Sequence, residues 1–443
     1  ACRTPNIDAF TGEALVFDNA YPEALPTIPI RCQLMTGQRT LPYRGWQPLT
    51  GEDIHIAQIL SDEGYVCGLI SDTYHFRAPG MNYHRNFGAY RWIRGQEYDP
   101  YVSAPSKRDI NDYVNENYPD TWRRRIGQFL ANTDGFTSGE DWFPARVVDE
   151  AVAWLEGNRA HDNTLLWIDS FDPHEPWDPP REYADRYVPD WDGKDFITPG
   201  AESEGDGLSE AKRECIKALY FGEVTLVDRW VGHLLDTITN LGLQEDTVVM
   251  LMSDHGTQVM DHGKFGKGAD VLRAYNTWLN WIVRHPDITG GQHVSGFVQA
   301  HDVLPTVLGL LDIPCQAVDG TDIWPLVTGE QESVRDYVMI GWAAASIGPA
   351  TGRASVRDDR WNYTVSLDDV EKEELFDLAA DPEEHQNVVV DHPDVVAEQR
   401  RRIEAVIHQP LPVQFNEVCD QGLPPGMMYV RGKRRAGSQR AAE

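Results

Sequence analysis

Short apolar, β-branched runs that stop abruptly at polar residues recur along this chain. Asp246–Ser253 (DTVVMLMS) runs into Asp254-His255-Gly256, and Thr164–Asp169 (TLLWID) is followed by Phe171-Asp172-Pro173-His174. Each is the pattern of a buried strand that delivers polar side chains at its tip. Between them, Leu208–Leu243 carries Ala218, Leu219, Phe221, Val224, Leu226, Val227 and Val231 at intervals of three and four before Gly242, which predicts one long amphipathic helix. Strand, helix, strand makes a βαβ unit. Upstream, Ile54–Glu63 predicts a helix that turns at Gly64, and Tyr65–Ser71 another apolar strand. The class expected is therefore α/β, a mostly parallel central sheet flanked by helices.

Beyond residue 329 the texture changes to short alternating runs, Tyr337–Trp342, Trp361–Leu367 and Glu374–Leu378, followed by a helical stretch from Pro393 to Ile407. This predicts a small antiparallel sheet with one helix. The expected organisation is a catalytic α/β domain over 1–329, a C-terminal α+β subdomain over 330–424, and a tail over 425–443 whose polar, aperiodic composition reads as disordered.

Composition narrows the class. A chain of 443 residues with 41% hydrophobic positions can bury a substantial core. No run of about 18 apolar residues exists, so no membrane span is expected. The formal charge of -31 is dispersed along the chain, which argues against nucleic acid as a partner. With Lys scarce beside Arg, the surface reads either as that of a halophile or as that of an ordinary acidic enzyme. Six cysteines lie far apart without metal-ligand spacing and read as free, mostly core thiols. No charged-then-apolar export signal opens the chain, which leans the expected location towards the cytoplasm. Nothing in the pattern speaks to oligomeric state.

In open α/β sheets, ligands bind beyond the carboxyl ends of the strands, where Asp254-His255 and His174 both fall. An Asp-His pair at a strand tip is, taken alone, more often a cap than a site. The segment Pro26–Gly37 (PTIPIRCQLMTG) adds to it: Pro29 suits the first turn of a helix beginning at Thr27 and Ile28, so a hydroxyl and the Arg31 guanidinium would meet at a positive helix end. Without further context Thr27 is more simply an N-cap.

Several segments, in order, resemble the motifs of the sulfatase family of the alkaline phosphatase superfamily. They are Thr4–Phe10 (TPNIDAF), Thr27–Arg39 (T-x-P-x-R, then LMTGQR), Asp172–Trp177 (DPHEPW), Ser253–Gly256 (SDHG), His262–Gly268 (HGKFGKG), His301–Gly320 and Glu374–Asn387. The resemblance implies an alkaline phosphatase-like fold and a hydrolase acting on sulfate or phosphate-type esters of small molecules. It implies Thr27 at the nucleophile position and Arg31 as the residue that steadies it and binds a nonbridging oxygen. Asp254 and His255, with the Thr27 hydroxyl, match ligands of one divalent metal ion, whether Ca, Mg, Mn or Zn. Lys267 matches an anion-binding lysine, and His174 a polar group near the leaving oxygen.

Three departures qualify the transfer. Family members that use formylglycine oxidise Cys or Ser, whereas the methyl on Cβ of Thr27 would give a ketone, so formylglycine is not expected. A Thr here is similar to the direct alkoxide nucleophile of nucleotide pyrophosphatases and some phosphodiesterases. Second, the turn after Ser71 reads Asp72-Thr73-Tyr74-His75, where the family has a GKWH-like turn: His75 matches the His, but the Lys is absent. Third, the family places a strand ending in Asp metal ligands before the TPNID segment, and this sequence starts inside that segment, so such a strand is expected upstream. Three activities stay open: sulfate-ester hydrolysis, hydrolysis of phosphodiesters or phosphonate monoesters, and a non-catalytic anion-binding relative.

Overall fold

The computed structural model describes residues 2–412 except 42–43, 77–79, 115–117, 200–207, 269–271, 343–351 and 368. The tail expected over 425–443 lies outside the described residues, as does Cys419. In chain order the first elements are α1 (Pro5–Gly12), β1 (Leu15–Tyr21), β2 (Ala24–Leu25), α2 (Thr27–Thr36), α3 (Ile56–Asp62), β3 (Val66–Ser71) and β4 (Ala89–Trp92). Then come α4 (Asp120–Thr133), α5 (Phe143–Asn158), β5 (Thr164–Asp169), the short α6 (Arg181–Ala184), α7 (Glu210–Asn240) and β6 (Val249–Met252). A two-stranded hairpin of β7 (Gln258–Val259) and β8 (Phe265–Gly266), the single turn α8 (Ala274–Thr277), β9 (Trp281–Arg284), β10 (Gln292–Gln299), α9 (Val303–Leu310) and α10 (Trp324–Thr328) complete the larger part.

The central strands form two hydrogen-bonded groups, β4-β3-β5 and β10-β1-β9-β6. The first is parallel throughout. In the second, β1 and β10 are parallel, but β9 runs antiparallel to both of its neighbours. The α/β class holds, with this one reversed strand. The strands joined by α7 in the βαβ reading, β5 and β6, fall in different groups, and no ladder links them among the described residues.

Alternation along β3 shows how helices cover both faces. Cys67 and Leu69 pack with Ile28, Met35, Ile56 and Leu60 of α2 and α3, whereas Ile70 packs with Val147, Ala151 and Trp154 of α5. Gly68 lies on the α5 side, where an added Cβ would stand 2.6 Å from the Trp154 indole. The ring takes the place of a side chain there.

Helix α2 serves both strand groups. Ile28, Cys32 and Met35 face the β3 core, while Ile30 and Leu34 face Phe17, Trp281 and Val283 of the other sheet. All ten of its residues are buried, and Gly37 ends it in the left-handed region at φ 67°. The far face of the β1 sheet is covered by α1 and α7, where Ile7, Phe10 and Leu235 meet Ile282 and Leu251. Asp228 of α7 accepts from the Asn6 and Ile7 backbone N–H groups at 3.1 and 2.8 Å, capping α1.

The C-terminal sheet has the order β14-β13-β12-β11-β2, with β11 (Val338–Trp342), β12 (Arg353–Arg357), β13 (Trp361–Ser366) and β14 (Glu373–Asp377) antiparallel. Helix α11 (Pro393–Ile407) buries Val396, Ile403 and Ile407 against Val356, Tyr363 and Val365. The sheet's fifth strand, Ala24–Leu25, pairs in parallel with β11 and is separated from Thr27 by Pro26 alone. Cys32, Cys67 and Cys215 are buried thiols, Cys2 is half-buried and Cys315 exposed, all unbridged. No helix among the described residues is long and apolar enough to cross a membrane.

Candidate active site

Because α2 is wedged between the two strand groups, its first turn meets the tips of β5 and β6. Thr27 opens the helix, is 2% exposed, and its hydroxyl makes no hydrogen bond with another described residue. Pro29 has no N–H to lose in that first turn, as its position in the sequence predicted.

One turn on, Arg31 connects the three elements. Its Nη1 donates to the Thr27 carbonyl at 3.0 Å and to Asp254 Oδ2 at 2.7 Å, beyond β6. Its Nε and Nη2 meet Asp169 Oδ2 and Oδ1, each at 2.8 Å, at the tip of β5. This is a bidentate guanidinium–carboxylate pair with both side chains under a tenth exposed.

Asp254 leads to the second half of the site. Burial alone would push its carboxyl up, but His255, Arg31 and Lys267 outweigh burial and hold it well below the usual carboxylate range. His255 is pushed below the ordinary imidazole value by burial, against the pull of Asp254. Its Nδ1 lies 2.8 Å from the Gly256 carbonyl, which fixes the Nδ1–H tautomer, and its buried Nε2 has no hydrogen-bond partner among the described residues.

Lys267 Nζ stands 2.8 Å from His174 Nε2 and 3.2 Å from Glu175 Oε2. His174 contacts the Glu175 carbonyl through Nδ1, so it is a neutral ring with its proton on Nδ1 and an acceptor at Nε2. Burial, with Lys267 assisting, pushes it down to about 4. Burial opposes ionisation of Glu175, yet His174 and Lys267 hold its carboxyl at about 2. Phe171 stacks on His174 at 4.0 Å between centroids and meets His75 at 5.5 Å. His75 Nε2 in turn lies 3.1 Å from Glu97 Oε2.

Thr27, Arg31, Asp254, His255, Lys267 and His174 thus form one connected cluster, with His75 reached through Phe171. Sequence reasoning missed Asp169, Glu175 and Glu97, the carboxylates that pair with Arg31, Lys267 and His75. Asp169 ends an apolar strand just as Asp254 follows one, and that shared position was the available signal. Behind the cluster, Asp72, Asp172 and Glu223 are buried carboxyls: burial first, then their mutual proximity, pushes Asp72 and Glu223 well above the ordinary range, and burial takes Asp172 to about 7. Gln96 donates to Asp172 at 2.6 Å and to Asp72 at 3.4 Å.

The residues present fit part of a metal shell. Asp254 Oδ2 and His255 Nε2 lie 3.7 Å apart, and the orphaned imidazole nitrogen points to a ligand that satisfies it. Among the described residues no group of three or more His, Cys, Asp or Glu gathers in a metal-binding arrangement, so these two are an edge of such a shell rather than a cage.

Comparison with known proteins places the chain. The sulfatase family model matches residues 1–313, and that of the C-terminal part of N-sulphoglucosamine sulphohydrolase matches 262–409. The chain is similar to an ulvan-active sulfatase of Formosa agariphila, 24% identical over 407 residues, covering 87% of this chain and 72% of the relative. It is also similar to a multifunctional alkaline phosphatase superfamily protein of Trinickia caryophylli, 24% identical over 454 residues, covering 88% and 86%. Among solved structures, the phosphonate monoester hydrolase of Agrobacterium radiobacter superposes with a TM-score of 0.71 at 20% identity, covering 91% of this chain and 90% of that one.

Proposed function

The chain belongs to the sulfatase family of ester hydrolases, and we propose that it cleaves sulfate-type or phosphate-type esters with the Thr27 hydroxyl as nucleophile. The observation that carries this reading is the junction at Arg31, which joins the Thr27 turn to the tips of both strand groups. Thr27 Oγ, its proton lost to solvent, attacks the sulfur or phosphorus as the bond to the leaving oxygen breaks, and water then hydrolyses the Thr27 ester, one of its protons returning to Thr27 Oγ and the other passing to solvent. Arg31 and Lys267 neutralise charge on the equatorial oxygens. In the Lys267–His174 pair the imidazole nitrogen is the acceptor, so Lys267 is the member with protons to give, and it donates to the leaving oxygen. Asp254 and His255, joined by the Thr27 hydroxyl, would hold one divalent ion. When bound, that ion supplies a Lewis acid and lowers the pKa of a hydroxyl beside it.

Two features favour phosphodiesters or phosphonate monoesters over sulfate esters. Thr27 argues for a direct alkoxide rather than a hydrated aldehyde, and Thr73 puts a hydroxyl where the related turn has a lysine. The relatives named above include both a sulfatase and a phosphonate monoester hydrolase. Rates measured side by side on an aryl sulfate, an aryl phosphodiester and an aryl phosphonate, with divalent metal titrated, test the reading. Faster turnover of the two phosphorus esters is expected. A preference for the sulfate would reverse the assignment, and no turnover of any ester at saturating metal would leave an anion-binding relative.

A further inference from the structure

The turn after β3 lacks the lysine expected there, and the Thr73 hydroxyl instead donates to Asp169 Oδ1. Both oxygens of Asp169 are already engaged by Arg31. A guanidinium has five N–H groups. Here Nε and one N–H of Nη2 go to Asp169, and the two of Nη1 go to the Thr27 carbonyl and Asp254. Among the described residues one N–H, on Nη2, is left without a partner. The Phe76 ring lies against the guanidinium, 5.6 Å from its carbon to the centroid.

We infer that Asp169 is a positioning residue: with Thr73 as its own anchor, it fixes the plane of Arg31 so that the remaining N–H is held towards an ester oxygen at Thr27. This rests on the reading of Thr27 and Arg31 given above. The physical reason is the fork geometry. A lone Arg side chain rotates among many conformers, and a carboxylate that takes two parallel N–H bonds sets the direction of every other N–H in the plane. Thr73 completes the device by holding Asp169 Oδ1, the oxygen that Nη2 shares. Asp169 acts through Arg31 and does not itself meet substrate.

Asp169→Asn keeps the size of the side chain but sets an amide N–H against the guanidinium. Its kcat should fall about 100-fold, the cost of misplacing a reacting or binding group by about 1 Å. In an Arg31→Ala background the same change should have no further effect on kcat. Thr73→Val, which removes only the anchor and spares the ion pair, should show a smaller loss in the same direction and guards against misfolding of the Asn variant. Sulfate affinity by calorimetry supplies a readout that needs no turnover: Arg31→Ala and Asp169→Asn should each weaken it about tenfold, and the double variant should be no weaker than Arg31→Ala. If no ester is turned over, the functional reading fails while the sulfate series still decides the positioning role. Additive losses in the double variant, an unchanged Asp169→Asn enzyme, or a parent that binds no sulfate would each overturn the proposal.

Discussion

Gly256 follows the Asp254-His255 pair, and replacing it by Ala tests whether the placement of that pair sets the rate. An ideal Cβ on Gly256 would stand 2.0 Å from the Tyr275 carbonyl oxygen and 3.0 Å from its carbon. Carbon–oxygen contacts settle near 3.3 Å, so the two backbones must part by about 1.3 Å. No rotamer relieves a clash between main chains. The segment is pinned on both sides, by Gly256 N–H to the Asn276 carbonyl and Ser253 N–H to the Asn280 carbonyl, each 3.0 Å. The displacement therefore passes into Asp254 and His255, whose Nδ1 is held by the Gly256 carbonyl itself. A shift of about 1 Å costs on the order of 100-fold in rate, or about 2.7 kcal/mol in the barrier. The assay is kcat/KM on the best of the three ester classes, with melting temperature and metal content measured on the same samples. A folded Gly256→Ala enzyme that retains its rate within threefold would refute the claim that this loop positions the chemistry.

Asp254→Asn and His255→Ala should each lower bound metal by elemental analysis, because a neutral amide and a methyl replace a carboxylate and an imidazole ligand; unchanged stoichiometry in both would make the pair structural. Glu223→Gln addresses the buried carboxyls. The folded pKa of Glu223 lies above its unfolded value, chiefly through burial, so its contribution is intact below about pH 4.5 and is lost as pH rises through the folded value. The melting-temperature gain of Glu223→Gln over the parent should accordingly grow between about pH 5 and pH 8, and a gain that stays constant over that range would show that the carboxyl is ionised in the fold.

Much of this architecture was legible because strand tips and helix ends carry local signals. Thr164–Asp169 and Pro393–Ile407 match their elements in full, and Pro29 and Gly37 bracket α2 as their backbone preferences require. Strand β12, Arg353–Arg357, went unread, since a five-residue run with a charge at each end has no clear period. Strand β10, QHVSGFVQ, hides in the same way behind His293 and Gly296. The reversed direction of β9 is set by pairing with β1 and β6 and has no local signature. At the site, motif residues were found and their partners were not. Asp169 lies 138 residues from Arg31 in sequence, so only the fold makes them neighbours.

The central claim is that Thr27 is the nucleophile, and the turnover of Thr27→Ala, measured beside Thr27→Ser with metal saturating, tests it most directly. Pro26, not Thr27, is the N-cap of α2, and the Thr27 hydroxyl bonds no other described residue, so the Ala protein should remain folded. The account predicts no turnover above background in Thr27→Ala and retained turnover in Thr27→Ser, which keeps a hydroxyl on the same carbon. Turnover of Thr27→Ala within tenfold of the parent would contradict it and leave Thr27 as no more than the first residue of a buried helix.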